Sequence, residues 1–400
     1  MEKAVTFSKS ASHLRARGRT MKSTFPLVVQ SHLKRCLPVL AVGMVLSLFG
    51  MAQPCAATYL LITTDVCRAW GPDVKGQWQG KDYGLPLIVE TLDRFGLKGT
   101  FFVSPYVPKG FEEEASATIR FIVSRGHDVQ LHPHVEALST IRDRLTDYSR
   151  QEKLDIIKRG VKLLEQGGAP HPVAHRAGAY AIDAEMLDLL PEAGIFIDSS
   201  IFPPDPRCKV TLPYDMVNRF VKVEKTYELP ITLVQRVPFL GYRGMTALDL
   251  NRLIWPELEA ALNQIAEHRV PVATFFMHYF SLYKLSSTYQ DLGPIKVLGP
   301  DRDKIETLEN VLRMVSTDKR FQVITVRELW NRFGKAPQEF AGPSFVPYTG
   351  IWLTYRKAWH DFWGHNLPNK IVALAPIVFI LILACAVALV LRRRRIPPRN

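Results

Sequence analysis

From residue 58 the chain alternates short apolar runs with longer amphipathic stretches. The apolar runs read "YLLITTDV", "GTFFVSP", "DVQLH", "VAHRAG", "IFIDSS", "ELPITLV", "VATFFMHYF" and "QVITV". Each has the length of a buried strand. Between them, "YGLPLIVETLDRFG" puts Leu85, Ile88, Val89 and Leu92 on one helical face. "QEKLDIIKRGVKLLEQGG" does the same with Leu154, Ile157, Val161 and Leu164, then stops at Gly167. "TALDLNRLIWPELEAALNQIAEH" and "DKIETLENVLRMV" read as two further helices. Strand–helix alternation over roughly 275 residues predicts an α/β fold, with a parallel sheet and helices outside it. Seven or eight strands predict a distorted (β/α) barrel over residues 58–335.

Two stretches depart from that pattern by being apolar all round. Residues 371–391, "IVALAPIVFILILACAVALVL", are 21 uncharged residues followed by four arginines. At the helical rise this run reaches the roughly 30 Å of a bilayer core. A core helix of that length would keep a polar side, so the run predicts a transmembrane helix. The arginines of the 392–400 tail place that end in the cytoplasm. Near the other end, "CLPVLAVGMVLSLFGMAQPCAA" follows Lys34 and Arg35. Residues 1–57 thus read as a basic leader with a signal peptide, or as an uncut signal anchor. Either reading puts residues 58–370 outside the cytoplasm, in a bacterial periplasm or at the cell surface. Between body and span, residues 336–370 are rich in Pro, Gly and aromatics. Trp352, Tyr355, Trp359 and Trp363 fall near helical spacing. Indole rings favour the headgroup layer, so this stretch reads as a juxtamembrane segment with membrane lipid as its partner.

Charge fits this organisation and excludes another. Of the formal +13, residues 1–57 carry +7 and residues 392–400 carry +5, leaving +1 for the body. A nucleic-acid surface would need its cations on the folded part. Of five cysteines, only Cys67 and Cys208 lie in the exported body. Oxidation is possible there.

Chemistry in parallel α/β barrels gathers where strands end at their carboxyl side. The apolar runs end there on Asp65, on His132 and His134, on Arg176, on Asp198 and on His278. Each alone has a plain structural explanation: a cap, a salt bridge, a satisfied core histidine. The ordered set resembles the NodB-type polysaccharide deacetylases, carbohydrate esterase family four, over about residues 58–330. "LLITTDVC" is similar to the family's first motif and "GHDVQLHPH" to its second. "HRAGAY" is similar to the third, "GIFIDSS" to the fourth and "FFMHYFSL" to the last. The resemblance implies a divalent metal, zinc first, and hydrolysis of an N-acetyl amide on a glycan.

In that reading Asp65 is the base, and Arg176 pairs with it and holds it in register. His278 is the general acid, and Asp198 orients or tunes His278. Backbone N–H groups around Ala179 and Tyr180 would stabilise an oxyanion. Metal ligands would come from His132, then His134, then Glu136 and Cys67, while His127 reads as structural. The chain departs from the family at the ligands. The i, i+4 partner of His132 is Glu136, and His134 stands at i+2. Cys67 occupies the place of a metal-binding aspartate. It would either ligate zinc or pair with Cys208 in a disulfide across two active-site loops, and the disulfide is the preferred expectation. The function expected is that of a membrane-anchored, divergent deacetylase acting on an envelope or exported polysaccharide or a lipid-linked sugar. The alternative is a non-catalytic glycan-binding or scaffold protein with a degenerate barrel.

Overall fold

The computed structural model describes residues 57–138, 141–237, 244–286, 296–363 and 378. The leader and all of the predicted span except Val378 lie outside the described residues. Among those described, no helix is long and apolar enough to cross a membrane.

The body is organised by β1, Thr58–Val66, which is buried along almost its whole length. One edge of β1 pairs with β8, Val272–His278. Its other edge pairs first with β9, Phe321–Val323, and then with β2, Thr100–Val103. Beyond β2 come β3, Asp128–Leu131, then the two-residue strands β4, Ala174–His175, and β5, Ile197–Asp198. The path ends with β7, Thr226–Glu228, and β6, Val221–Val223. All of these pairs are parallel except β6 with β7.

Helices cover the outside, four of them where the periodicity predicted, although "TALDLNRLIWPELEAALNQIAEH" is helical only from Trp255 and its first residues pair as a strand. They are α1, Leu85–Arg94; α2, Glu112–Ser124; α3, Arg150–Gln166; and α4, Ala184–Leu189. Next come α5, Trp255–Glu267; α6, Arg302–Thr317; and α7, Val326–Phe333. In α1 the stripe Leu85, Ile88, Val89 and Leu92 is buried. Helix α3 starts at Ser149, whose N–H and Oγ–H donate to the Glu152 carboxylate at 2.9 and 2.8 Å.

The closed barrel expected from sequence is corrected to a curled, open nine-stranded sheet. The run "ELPITLV" splits after Glu228, because Pro230 has no N–H for a ladder. The chain then leaves the sheet, and Leu233–Arg236 pairs with Met245–Ala247 instead. Among the described residues no strand joins β7 to β8. The gap is crossed by the Asp249–Phe276 bridge and by Thr274, whose N–H donates to Thr232 Oγ1 at 2.8 Å.

Side-chain alternation then decides what faces inward. Leu61, Thr63 and Asp65 share one face of β1. Leu61 packs in an inner cluster with Phe102, Ala174, Ile197 and Val272. Val326 and Leu329 of α7 belong to the same cluster. The N–H groups of Val326 and Arg327 bond to Thr100 and Asp128, the first residues of β2 and β3. Helix α7 thus closes the amino end of the sheet and leaves the carboxyl end open.

The folded body continues beyond residue 335. The Phe340 ring is buried against Tyr59 and Phe220. Tyr348–Thr349 pairs with Gln235–Arg236. The aromatic stretch then forms α8, Ile351–Trp363.

Candidate active site

At the carboxyl end, β1 and β8 are in register so that Asp65 stands beside His278. Arg176 follows β4 and is fully buried. Its Nη1 donates to Asp65 Oδ1 at 2.7 Å and to Thr63 Oγ1 at 3.2 Å. Its Nε and Nη2 donate to Ser199 O and Oγ at 3.0 and 2.9 Å. The guanidinium also lies 4.0 Å over the Phe102 ring. A cation so enclosed cannot be exchanged for water, and it fixes one edge of the Asp65 carboxylate. The other oxygen, Oδ2, is 3.6 Å from His132 Nε2.

His132 ends β3 and is buried. Its Nδ1 is 2.8 Å from the Arg176 carbonyl, which makes Nδ1 the N–H donor and leaves Nε2 as a lone pair. Pro133 keeps the chain extended, so His134 returns to the same side at i+2. The two Nε2 atoms are 3.0 Å apart. Cys67 Sγ is 3.6 Å from His132 Nε2. Ligand atoms of Cys67, His132 and His134 all lie within 4.8 Å of one another.

Charge is divided unevenly within this group. Burial disfavours the His134 cation, but Cys67 and Glu136 outweigh it and raise its pKa to about 10. Burial and the neighbouring His134 push His132 well below the ordinary imidazole range. Two nitrogens and one sulfur so close together are a donor set that could hold a metal ion.

Several expectations change. Glu136 does not face the cluster; its carboxylate accepts from His134 Nδ1 at 3.0 Å, on the far side of the ring. It is an orienting partner of a ligand candidate, as carboxylates behind metal histidines are. The disulfide is not formed. Cys67 and Cys208 are both free, and the Cys208 thiol donates to Val210 O at 3.3 Å. Asp198 does not meet His278. Its Oδ1 is 2.6 Å from His175 Nδ1, and it accepts from Ser200 N and Oγ at 2.9 and 2.8 Å. The physical reason is the sheet register, which pairs Asp198 with His175 on the adjacent strand. His127 is structural, with its Nδ1 accepting from Gly99 N at 3.1 Å.

Ala179 and Tyr180 both have left-handed backbones, with φ of 55° and 58°. That conformation is costly for residues with a Cβ and is typical of functional turns. The Tyr180 N–H already donates to Ala177 O at 3.3 Å. His278 sits between Phe280, stacked at 4.8 Å, and Phe276, edge-on at 4.9 Å. Its Nδ1 is buried with no hydrogen-bond partner among the described residues. Burial lowers its pKa to about 4, with Asp65 pulling the other way.

Sequence reasoning missed three groups. His175 precedes Arg176 and was hidden by it. Asp249, in "ALDLN", is buried, and burial raises its pKa to about 6 despite Arg252 at 3.3 Å. Glu228 opens the apolar run "ELPITLV" and ends β7. Burial, with Asp198 beside it, pushes the Glu228 carboxyl well above its ordinary value. Its Oε1 accepts from Ile201 N at 3.0 Å. Glu228 holds Ile201 N and Asp198 holds Ser200, which fixes the 198–201 segment, and Ser199 of that segment holds Arg176.

A test of this lock is stability against pH. Above the ordinary carboxylate range the unfolded chain releases the Glu228 proton while the folded chain keeps it. The contribution therefore falls as pH rises. Glu228→Gln, neutral at every pH, is expected to fold normally and flatten that slope. Glu228→Ala, which orphans the buried Ile201 N–H, is expected to lose about 1–3 kcal/mol. Urea unfolding of the three forms at several pH values reads both.

No family profile matches the chain. The peptidoglycan deacetylase-like protein FGM2 of Gibberella zeae is 28% identical over 120 residues, 30% of this chain and 32% of that protein. The chain thus spans about a third of the length of the curated relative it matches. Among solved structures, a Mycobacterium smegmatis protein assigned as a polysaccharide deacetylase is similar with a TM-score of 0.47 and 18% identity. The match covers 74% of this chain and 96% of that one. The peptidoglycan deacetylase PdaC of Bacillus subtilis is similar with a TM-score of 0.35 and 13% identity, over 71% of this chain and 96% of that one. The family 4 carbohydrate esterase of Streptomyces lividans, in complex with acetate, gives 0.35 and 12%, over 72% and 98%.

Proposed function

We propose that this chain hydrolyses N-acetyl groups on an envelope or exported glycan, at a site that uses a divalent cation. The observation that carries the reading is the convergence of Asp65, Arg176, Cys67, His132 and His134, with His278 in register beside Asp65. Similarity to a peptidoglycan deacetylase-like protein supports the same reading. Cys67, His132 and His134 would hold the cation, zinc in the first place, and when bound it would polarise the amide carbonyl.

The remaining work falls to the protein. Asp65 Oδ2 is the oxygen left free by Arg176, and it takes the proton of the attacking water. His278 serves the leaving nitrogen. With a pKa near 4 it is neutral at pH 7. The proton it delivers therefore has to be acquired within the cycle, and Asp65, in register on the neighbouring strand, is its source. Phe276 and Phe280 fix the imidazole plane and keep water from it. Tyr180, packed on Phe202 at 4.8 Å, forms part of the wall at the same end. The body would sit outside the cytoplasm, anchored by residues 371–391.

The experiment is acetate release from N-acetylated glycans by the full chain in detergent. Release is expected, lost with a chelator and restored by zinc. Binding of the same glycans with no acetate at any metal loading would instead assign the protein to the non-catalytic class.

A further inference from the structure

Helix α8 has two unlike faces. Thr354, Lys357 and Ala358 are buried, while Ile351, Trp352, Arg356, Trp359 and His360 are exposed. Ile351 and Trp352 are 64% and 66% exposed. Trp352 lies on Tyr355 at 5.7 Å. Large apolar side chains displayed together on one helix mark a contact surface. Between α8, the first turn of α5 and the amino-terminal half of α6 runs a groove of about 830 Å³, lined by Trp255, Lys284, Asp303, Arg356, Trp352 and Trp359 among others. His360 reaches Asp303 at 3.5 Å across it. Tryptophan beside arginine, lysine and a few acids is the chemistry of a lipid headgroup layer rather than of a dry protein interface.

Chain length points the same way. Residues 364–370 separate α8 from the uncharged run 371–391. Seven residues reach at most about 25 Å, so α8 stays close to where that run would enter a bilayer. The fold adds an orientation. Where parallel strands alternate with helices, helix amino ends lie at the carboxyl ends of the strands. The groove takes in the amino ends of α5 and α6, and Lys284 is six residues past His278. It therefore opens at the same end as the candidate active site.

We propose that the outer face of α8 lies in the headgroup layer of a membrane, with lipid headgroups filling the groove. The mouth of the site then opens beside the bilayer, and the glycan it serves is one held at the membrane, by a lipid link or by close attachment. The placement of α8 stands on its own; the statement about the glycan rests on the deacetylase reading.

The test uses the full chain in nanodiscs whose acyl chains carry bromine near the headgroup. Tryptophan emission is compared between wild type and Trp352→Phe/Trp359→Phe, exposed positions whose change spares the fold. The bromine-quenchable emission is expected to fall by roughly half or more in the double variant, as rings lying in the interface require. Equal quenching of both forms, with Trp352 and Trp359 reached by aqueous acrylamide, would overturn the placement. So would a concentration-dependent dimer that shields them from both quenchers, which would give the face to a second copy. Acetate release from a soluble N-acetylated oligosaccharide, measured in parallel, is expected to be equal in the two forms. If quenching follows expectation and no acetate is released by either form, the catalytic reading fails and the placement stands.

Discussion

His132→Ala is expected to lower zinc from about one ion per chain to near zero, and kcat/KM for acetate release by ~10³-fold or more. His132 stands at the centre of the donor set. Its Nε2 is 3.0 Å from His134 Nε2, 3.6 Å from Cys67 Sγ and 3.6 Å from Asp65 Oδ2. Removing it takes away a proposed ligand and also the ring whose Nδ1 is tied to the Arg176 carbonyl. Lewis-acid stabilisation worth about 4 kcal/mol corresponds to three decades in rate. Metal analysis of purified protein and steady-state kinetics read the two effects separately. Unchanged zinc content in the variant would remove His132 from the ligand set.

Asp65→Asn is expected to separate the base from the metal. Activity falls by ~10²–10⁴-fold, the usual worth of a positioned general base. Zinc stays bound, because Cys67, His132 and His134 remain. Stability also falls, by about 2–3 kcal/mol, since Arg176 is fully buried and loses the anion at 2.7 Å. Asparagine keeps the shape and one hydrogen bond, which limits the loss. Denaturant unfolding, metal content and rate together give a signature that simple misfolding would not. Wild-type rate in this variant would place the base elsewhere, with Asp249 the next buried carboxylate to examine.

Much of this was legible in the chain. Apolar runs ending in ionisable residues gave Asp65, His132, Arg176 and His278, because strand ends in a parallel sheet are where side chains are free to do chemistry. The helical stripes were equally plain, since an exposed helix has to bury one face only. The misreadings share a cause. Pairing Asp198 with His278, or Cys67 with Cys208, needs distances that sequence does not encode. Glu136 was ranked as a ligand because order along the chain does not tell which nitrogen of His134 it will face. Glu228, His175 and Asp249 were missed because a single acid or histidine beside an apolar run has many explanations until its neighbours are known.

By itself the sequence determined the alternation of strand and helix and the ionisable residues, Asp65, His132, Arg176 and His278, on which the apolar runs end. These depend on local periodicity and backbone sterics, which act within a few residues. Only the tertiary structure decided that the sheet stays open at Pro230, that Asp198 pairs with His175, and that both cysteines remain free. Those outcomes depend on register between strands far apart in the chain. A shift of one residue turns every side chain to the other face, and it is the packing of the whole sheet that selects one register.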